Sequence, residues 1–145
     1  MSLNFEKYVA EANAWLHVVG RHLGIQNRAQ AGRIFRAVLH ALRDRIPAEK
    51  AAHLGAQLPI IWKGIYFDGY KVRREPIVVR HAQDWLVFVA SYDAFAEGHD
   101  FPTAEHTRRA FMGVMNALEE LLSPGQYSQV VDALHTDIQE LLYVH

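Results

Sequence analysis

Residues 27–46 read NRAQAGRIFRAVLHALRDRI, and this stretch decides the fold. Asn27 is a residue type that caps helix N-termini, and Gln30 follows three positions later, as in a capping box. Large apolar residues recur at helical spacing and fall on one side of a helical wheel: Ile34, Phe35, Val38, Leu42 and Ile46. The stretch therefore predicts an amphipathic helix over residues 28–45 that buries one stripe in a core.

The other side of the same wheel carries polar residues. They are Arg33, Arg36, His40, Arg43 and Asp44. Because a polar stripe opposite an apolar one normally faces water, we expect these side chains to be solvated.

The pattern returns 76 residues further along the chain. Thr103 stands at the position of Asn27 as an N-cap residue, and Phe111 stands at the position of Phe35. Agreement of cap, buried stripe and helix breaks at one offset indicates an internal repeat. We therefore predict a tandem duplication of a four-helix unit.

Caps, prolines and apolar spacing divide the whole chain into about eight helices. In the first half, the predicted helices cover 5–19, 28–45, a segment that begins at Pro47, and 59–67. In the second half, they cover 82–95, 104–122, a segment that begins at Ser123 and Pro124, and 136–144. Gln126 completes a capping box with Ser123. The fold class is all-α, a compact helical bundle. Residues 1–67 form the first unit, 68–80 an ordered linker and 81–145 the second unit, within one compact domain.

Composition narrows the class of protein. The chain has 145 residues, of which 50% are hydrophobic and 21% charged, as in a globular domain. It has no cysteine, which excludes a disulfide framework and thiolate chemistry. Its N-terminus lacks the apolar core of a secretory signal, and no apolar run is long enough to span a bilayer. We expect a cytoplasmic protein that does not enter membranes.

Charge is distributed unevenly along the chain. Residues 1–72 hold ten Lys and Arg against five Asp and Glu, whereas residues 73–145 hold five against eleven. This asymmetry is open to three interpretations: attraction between the halves, head-to-tail attraction between copies, or two solvated faces.

Four motifs resemble those of a known family. The run from Ala41 to Pro47, ALRDRIP, is followed by AHLGAQLP over 52–59 and KGIYFDGY over 63–70, and NAWL over 13–16 adds to the likeness. The chain is thus similar to the bacterial family called domain of unknown function 2267. The resemblance implies a helical, internally duplicated fold and carries no established catalytic role.

Candidate site residues lie at the end of the 28–45 helix. His40 and Asp44 are one turn apart, so the carboxylate could orient the imidazole as in an acid–base pair, beside Arg36 and Arg43. The alternative is a solvated helical charge cluster. Arg45 falls on the apolar side, where it either satisfies carbonyls at the helix C-terminus or holds an anion.

A second candidate region is a helix end and the loop that follows it. It combines cations, phenols and a carboxylate, in Lys63, Tyr66, Asp68, Tyr70 and Lys71. Such places bind ligands more often than helix middles do. The alternative is that the aromatic side chains pack the linker against the first unit.

Other site types receive little support from the sequence. The nine histidines lack metal-ligand spacing, since His17 and His22 are five residues apart and no pair has a third member. No cofactor or metal is predicted. Arginines of the first half could line a nucleic-acid surface, but the acidic second half would repel phosphates.

The sequence therefore favours a non-catalytic protein-interaction or regulatory module that binds a protein partner or itself. The charged faces of helices 28–45 and 104–122 are its candidate surfaces. The alternative is an enzyme or small-ligand-binding protein that uses His40, Asp44 and Arg45 or the Lys63–Lys71 segment.

Overall fold

The helical prediction is confirmed. A computed structural model describes residues 4–73 and 75–143, and within these residues it contains eight α-helices, a short π-helical segment at Ala96–Asp100 and no strand. The helices are α1 (Phe5–Leu23), α2 (Arg28–Arg45), α3 (Ala48–Ala56), α4 (Ile60–Phe67), α5 (Ala82–Ala90), α6 (Ala104–Leu121), α7 (Pro124–Asp132) and α8 (Thr136–Glu140).

Helix α2 runs through the middle of the core and has the predicted bounds. The Asn27 carboxamide accepts a hydrogen bond from the Gln30 backbone N–H at 3.0 Å. All five predicted stripe residues are buried, and Phe35 and Leu42 are completely inaccessible to solvent. Since a fully buried Leu or Phe contributes roughly 1.5–3 kcal/mol, this stripe is a major source of stability.

The two halves interlock through their longest helices. Helix α1 packs against α6 as well as α2, while α5 packs against α2 as well as α6. The α1–α6 contact is close at Gly113, where a Cβ atom would lie 2.9 Å from the Leu23 Cδ2 and 3.1 Å from the His22 carbonyl oxygen. One core cluster therefore includes residues from both halves.

Local caps explain most helix starts. The Thr103 hydroxyl accepts the His106 N–H at 3.2 Å to begin α6. The predicted capping box is confirmed, because Ser123 accepts the Gln126 N–H and the Gln126 side chain accepts the Ser123 N–H. Helices α3 and α4 each begin directly after a proline, at Pro47 and Pro59, as the sequence predicts.

Three helix ends differ from the predictions. Helix α1 continues to Leu23 and stops at Gly24, whose φ of 69° supplies the left-handed C-terminal turn. Helix α5 ends at Ala90 instead of residue 95, because the Asp93 carboxylate accepts the Phe95 N–H at 2.9 Å and turns the chain away. Helix α8 ends at Glu140, and the predicted final residue 144 lies outside the described residues.

The predicted water-facing stripe of α2 is wrong at three positions. His40, Arg43 and Asp44 are only 4%, 5% and 6% exposed. The end of α4, the linker and the end of α5 contact this side of α2, so their backbone and side chains replace water. Arg36 is exposed as expected, and Arg33 is partly covered.

The linker follows the end of α2 without forming a strand in its described residues. Its backbone is attached to α2, since the Ile77 N–H donates to the Asp44 carbonyl at 2.9 Å. Val79 is buried against the core.

Helices begin at the predicted offset. Helices α2 and α6, α3 and α7, and α4 and α8 start 76 residues apart, and the first two pairs also end 76 residues apart. These bounds agree with the duplication, which stays a prediction until the two units are superposed.

Candidate functional site

Polar residues predicted on α2 converge on the C-terminus of α4. The last carbonyls of a helix lack partners within it and need outside donors when they are buried. His40 Nε2 lies 2.7 Å from the Ile65 carbonyl oxygen, which places a proton on this nitrogen. Arg43 Nη1 donates to the carbonyls of Tyr66 at 2.5 Å and Asp68 at 2.8 Å. Two α2 side chains thus cap α4, and the Arg43 charge complements its negative end.

Asp44 is the second centre of this α2–α4 cluster. Its Oδ1 accepts from Arg43 Nε at 3.2 Å and lies 3.5 Å from Arg73 Nη1. Its Oδ2 accepts from the Tyr92 hydroxyl. Because buried carboxylates need partners, two guanidinium groups and a phenol on three different segments hold this charge in place.

His40 is adapted to a neutral state. Burial lowers the pKa of His40, and the positive charges of Arg43 and Arg36 lower it further, although the bond to Ile65 opposes them. The hydrogen bonds of the Asp44 carboxylate go to Tyr92 and Arg43 instead of the imidazole. The acid–base orientation expected of His40 and Asp44 is therefore not formed.

Two aromatic side chains of the second candidate region join the cluster. The Tyr66 hydroxyl donates to the Ala51 carbonyl at 2.7 Å, and burial raises the pKa of Tyr66 well above its usual value. The Tyr70 ring lies against the Arg43 guanidinium, with 5.5 Å between the ring centroid and Cζ. Tyr66 thus ties α4 to α3, and Tyr70 packs the chain after α4 against α2, in agreement with the structural alternative for this segment.

The remaining candidates lie apart from one another. Lys63 is half-buried on α4, whereas Lys71 and the Asp68 side chain are exposed. Asp68 contributes only its backbone oxygen to the α2–α4 cluster. Arg36 is exposed on α2.

Arg45 anchors the linker. Its Nε donates to the Val79 carbonyl at 2.9 Å, so it satisfies a carbonyl of the linker and none of its own helix. Burial lowers the pKa of Arg45, and Arg80 lowers it further.

Sequence analysis missed a buried carboxylate pair in the segment after α5. Arg33 Nε and Nη2 donate to both oxygens of Asp100, at 2.8 and 3.1 Å, and the Asp100 side chain is completely buried. Asp93 Oδ2 is also buried and accepts no hydrogen bond. No periodic signal marks these residues, because Asp93 and Asp100 lie in an irregular segment and Arg33 lies on a stripe expected to face water.

The pair has opposite pKa shifts. Burial raises the pKa of Asp93 to about 6, and the neighbouring Asp100 carboxylate adds to this. Burial alone would raise the pKa of Asp100, but the Arg33 guanidinium outweighs it and the net pKa lies below its usual value. Asp100 is thus ionised and paired, while Asp93 takes up a proton near pH 6 that it can share with Asp100.

The larger concave surfaces lie away from the α2–α4 cluster. A cavity of about 140 Å³ separates α3 from α7. An open cleft of about 610 Å³ lies between the end of α1 and the start of α2. A third, of about 390 Å³, lies beside Asp100 and is edged by His99, His106 and Arg109.

Two features are absent from residues 4–73 and 75–143: a cluster of metal-ligand side chains and a membrane-spanning helix. No three His, Asp or Glu side chains in these ranges come together as metal ligands. None of the helices described there is both long and apolar enough to span a bilayer.

A family model described as an uncharacterized conserved protein, DUF2267, matches residues 12–141. The chain belongs to the DUF2267 family. The DUF2267 match includes all of α2 through α8, so both buried polar clusters lie within the family domain. No curated protein matches the chain.

Proposed function

We propose that this DUF2267 protein is a non-catalytic, cytoplasmic protein-interaction module. Its contact surface is the α6 face, a stripe along the outer side of one helix that comprises Glu105, Arg109, Met112, Asn116 and Glu119. Four of these residues are exposed and Met112 is half-buried. Arginine and methionine are enriched in protein-binding surfaces, and here they lie between two glutamates that would form a polar rim.

One observation carries this proposal. Four of the five α6-face residues stand 76 positions after residues of the polar stripe of α2, and the chain covers most of that stripe with its own segments. Arg33 pairs with Asp100, and His40 and Arg43 cap α4. The α6 face has the same helical arrangement and is open. A partner would cover α6 as the α4 end and the linker cover α2.

The arrangement of the candidate catalytic residues supports a non-catalytic role. A general base must reach a substrate proton, and a nucleophile must be adjacent to it. His40, Arg43 and Asp44 instead bond to backbone carbonyls and to each other in a buried site. The alternative of an enzyme or ligand site at His40, Asp44 and Arg45 would require these bonds to open.

Some of the opposite charges of the two halves form ion pairs with each other inside the molecule. Arg33 of the basic half pairs with Asp100 of the acidic half, and Arg21 pairs with Glu120 at 2.5 Å. This supports the interpretation in which the halves attract each other. Head-to-tail self-association through charge is correspondingly weakened, so we favour a different protein as the partner.

The test compares capture of proteins from the source cell by the wild type, a Glu119→Lys variant and a Glu75→Lys control. Both glutamates are exposed, but Glu75 lies in the linker. We expect a protein that is retained by wild type and control and lost with Glu119→Lys. Identical retention by all three proteins would contradict the α6 face as the contact surface.

Sedimentation velocity of the same three proteins tests whether the protein binds a second copy of itself. A dimer that disappears at high salt and with Glu119→Lys alone would identify a second copy as the partner. A dimer that persists in Glu119→Lys would place self-association on another surface.

A further inference from the structure

The cavity between α3 and α7 has the lining of a small-molecule site. Its floor is aliphatic, and the floor residues are all buried: Ile46, Leu54, Leu122 and Val130. Its volume is about 140 Å³. An apolar cavity of about 150 Å³ in another protein accepts benzene, so this space suits a ligand of about six non-hydrogen atoms.

The rim supplies hydrogen-bond donors. Lys50 and His53 lie one turn apart on α3, and Gln129 extends the rim on α7. All three are exposed, and no ion pair or hydrogen bond joins Lys50 or His53 to another described residue. The acidic residues of these two helices, Glu49 and Asp132, do not line the cavity.

Two glutamines have their amide orientation determined by the capping box. Gln126 Oε1 accepts the Ser123 N–H at 3.0 Å, so its Nε2 faces Gln57 as a donor. Gln57 accepts this bond through Oε1. Its own Nε2 and two N–H groups therefore remain for a ligand at the rim.

We propose that this cavity binds a short aliphatic carboxylate. The aliphatic floor would contact the hydrocarbon part of the ligand. Lys50, His53 and the Gln57 amide would donate hydrogen bonds to the carboxylate oxygens. A carboxylate is the matching headgroup because it only accepts hydrogen bonds and carries a negative charge, whereas the rim offers donors and a cation. Bulkier, fully charged anions such as phosphate would leave the apolar floor unused.

This site is independent of the α6 face and does not depend on the proposed function. Its carboxylate has two possible sources: a free small acid, or the C-terminus of a peptide that ends in a small aliphatic residue. Both present the same chemistry to the rim.

Titration with butyrate, followed by NMR of backbone amides, tests the proposal. We expect shifts confined to residues 46–57 and 122–130, and a Kd on the order of 1 mM for so small a ligand. Butyramide has the same shape without the charge and should bind about tenfold more weakly, because charge-assisted hydrogen bonds are the stronger ones. N-acetylvaline mimics a peptide C-terminus: tighter binding than butyrate assigns the peptide source, and weaker binding assigns the free acid.

Variants at exposed positions keep the test independent of folding. Lys50→Met should weaken butyrate binding about tenfold through the lost charge-assisted bond, and His53→Gln should weaken it less. Lys7→Met, on the exposed N-terminal turn of α1, should leave the affinity unchanged. Absence of shifts at tens of millimolar butyrate, equal binding of butyramide, or unchanged affinity of Lys50→Met would overturn the proposal.

Discussion

At the residue scale, the α2–α4 cluster shows how a helix end is completed by side chains from another helix. The backbone of Asp68 donates to the Gly64 carbonyl, and Tyr70 donates to the Phe67 carbonyl. Of the carbonyls between these two, that of Ile65 accepts from His40 as well as from the Asp68 N–H at 3.3 Å, and that of Tyr66 accepts from Arg43. Polar groups on α2 are therefore buried because the backbone of α4 requires donors.

Replacement of Arg43 should show how much stability depends on the donors that α2 supplies to α4. Arg43→Ala leaves the Tyr66 and Asp68 carbonyls without their side-chain donor and removes one of the three partners of the Asp44 carboxylate, so we expect a loss of about 3 kcal/mol in the free energy of unfolding. Urea denaturation measures it. The exposed Arg36→Ala is the control on the same helix and should change stability by less than about 0.5 kcal/mol. Equal effects of the two variants would show that the cluster is not structural.

Asp93 should make stability depend on pH. Its folded-state pKa of about 6 lies above its usual 3.8, so folding favours the protonated form. The contribution of this residue to stability is fully present below pH 3.8 and is lost as pH rises through about 6. Asp93→Asn mimics the protonated form and should be more stable than wild type by about 2 kcal/mol at pH 8, with the difference vanishing near pH 4.

Chemical denaturation at pH 4, 6 and 8 measures the effect of Asp93→Asn. Glu97→Gln removes an exposed carboxylate from the same segment and should leave the wild-type pH profile unchanged. If Asp93→Asn were no more stable than wild type at pH 8, the buried carboxylate would not be the titrating group.

At the element scale, the helices are specified locally but their contacts are not. Caps and prolines determine where α2, α3, α6 and α7 begin, because these signals act within one turn. The end of α5 depends on Asp93, which accepts the Phe95 N–H two residues ahead but is buried beside Asp100 and near Arg33 of α2, so its environment is set by tertiary packing. Helix starts could therefore be predicted more reliably than helix ends.

The α1–α6 contact should tolerate no side chain at Gly113. Alanine is the better helix former, but its Cβ would meet the His22 backbone at 3.1 Å, so Gly113→Ala should destabilise the protein by about 1–2 kcal/mol. Gly64→Ala is the matched control, because nothing lies within 4 Å of a Cβ atom there. It should stabilise the protein by up to about 1 kcal/mol, as expected for helix propensity alone. Thermal denaturation of both variants distinguishes the two effects, and stabilisation by Gly113→Ala would mean that the helices are further apart.

At the scale of the whole molecule, the packing of α1 on α6 and of α5 on α2 interleaves the two sequence halves. Each half supplies a helix to the core of the other. The ion pairs of Arg33 with Asp100 and of Arg21 with Glu120 cross the same boundary. The two halves of the sequence thus contribute to a single packed core.

Unfolding should occur in one step. Trp15 and Trp62 report on the first half and Trp85 on the second, and Trp85 is completely buried. Because buried residues of both halves form one core cluster, fluorescence and far-ultraviolet circular dichroism should give coincident thermal transitions. Separate transitions for the two probes would indicate independently folding units.

The sequence by itself determined the elements: the all-α class, the bounds of α2, the capping box of α7 and the apolar stripe of the core. These features depend on interactions between residues that are close in the sequence, so the spacing of residue types is enough to predict them. Only the tertiary structure decided which polar residues are buried. His40, Arg43 and Asp44 look solvated on a wheel of α2 alone, but burial depends on what packs over that wheel. The α4 carbonyls, Tyr92 and Arg73 are distant in sequence, so residue spacing could not reveal that they would replace water.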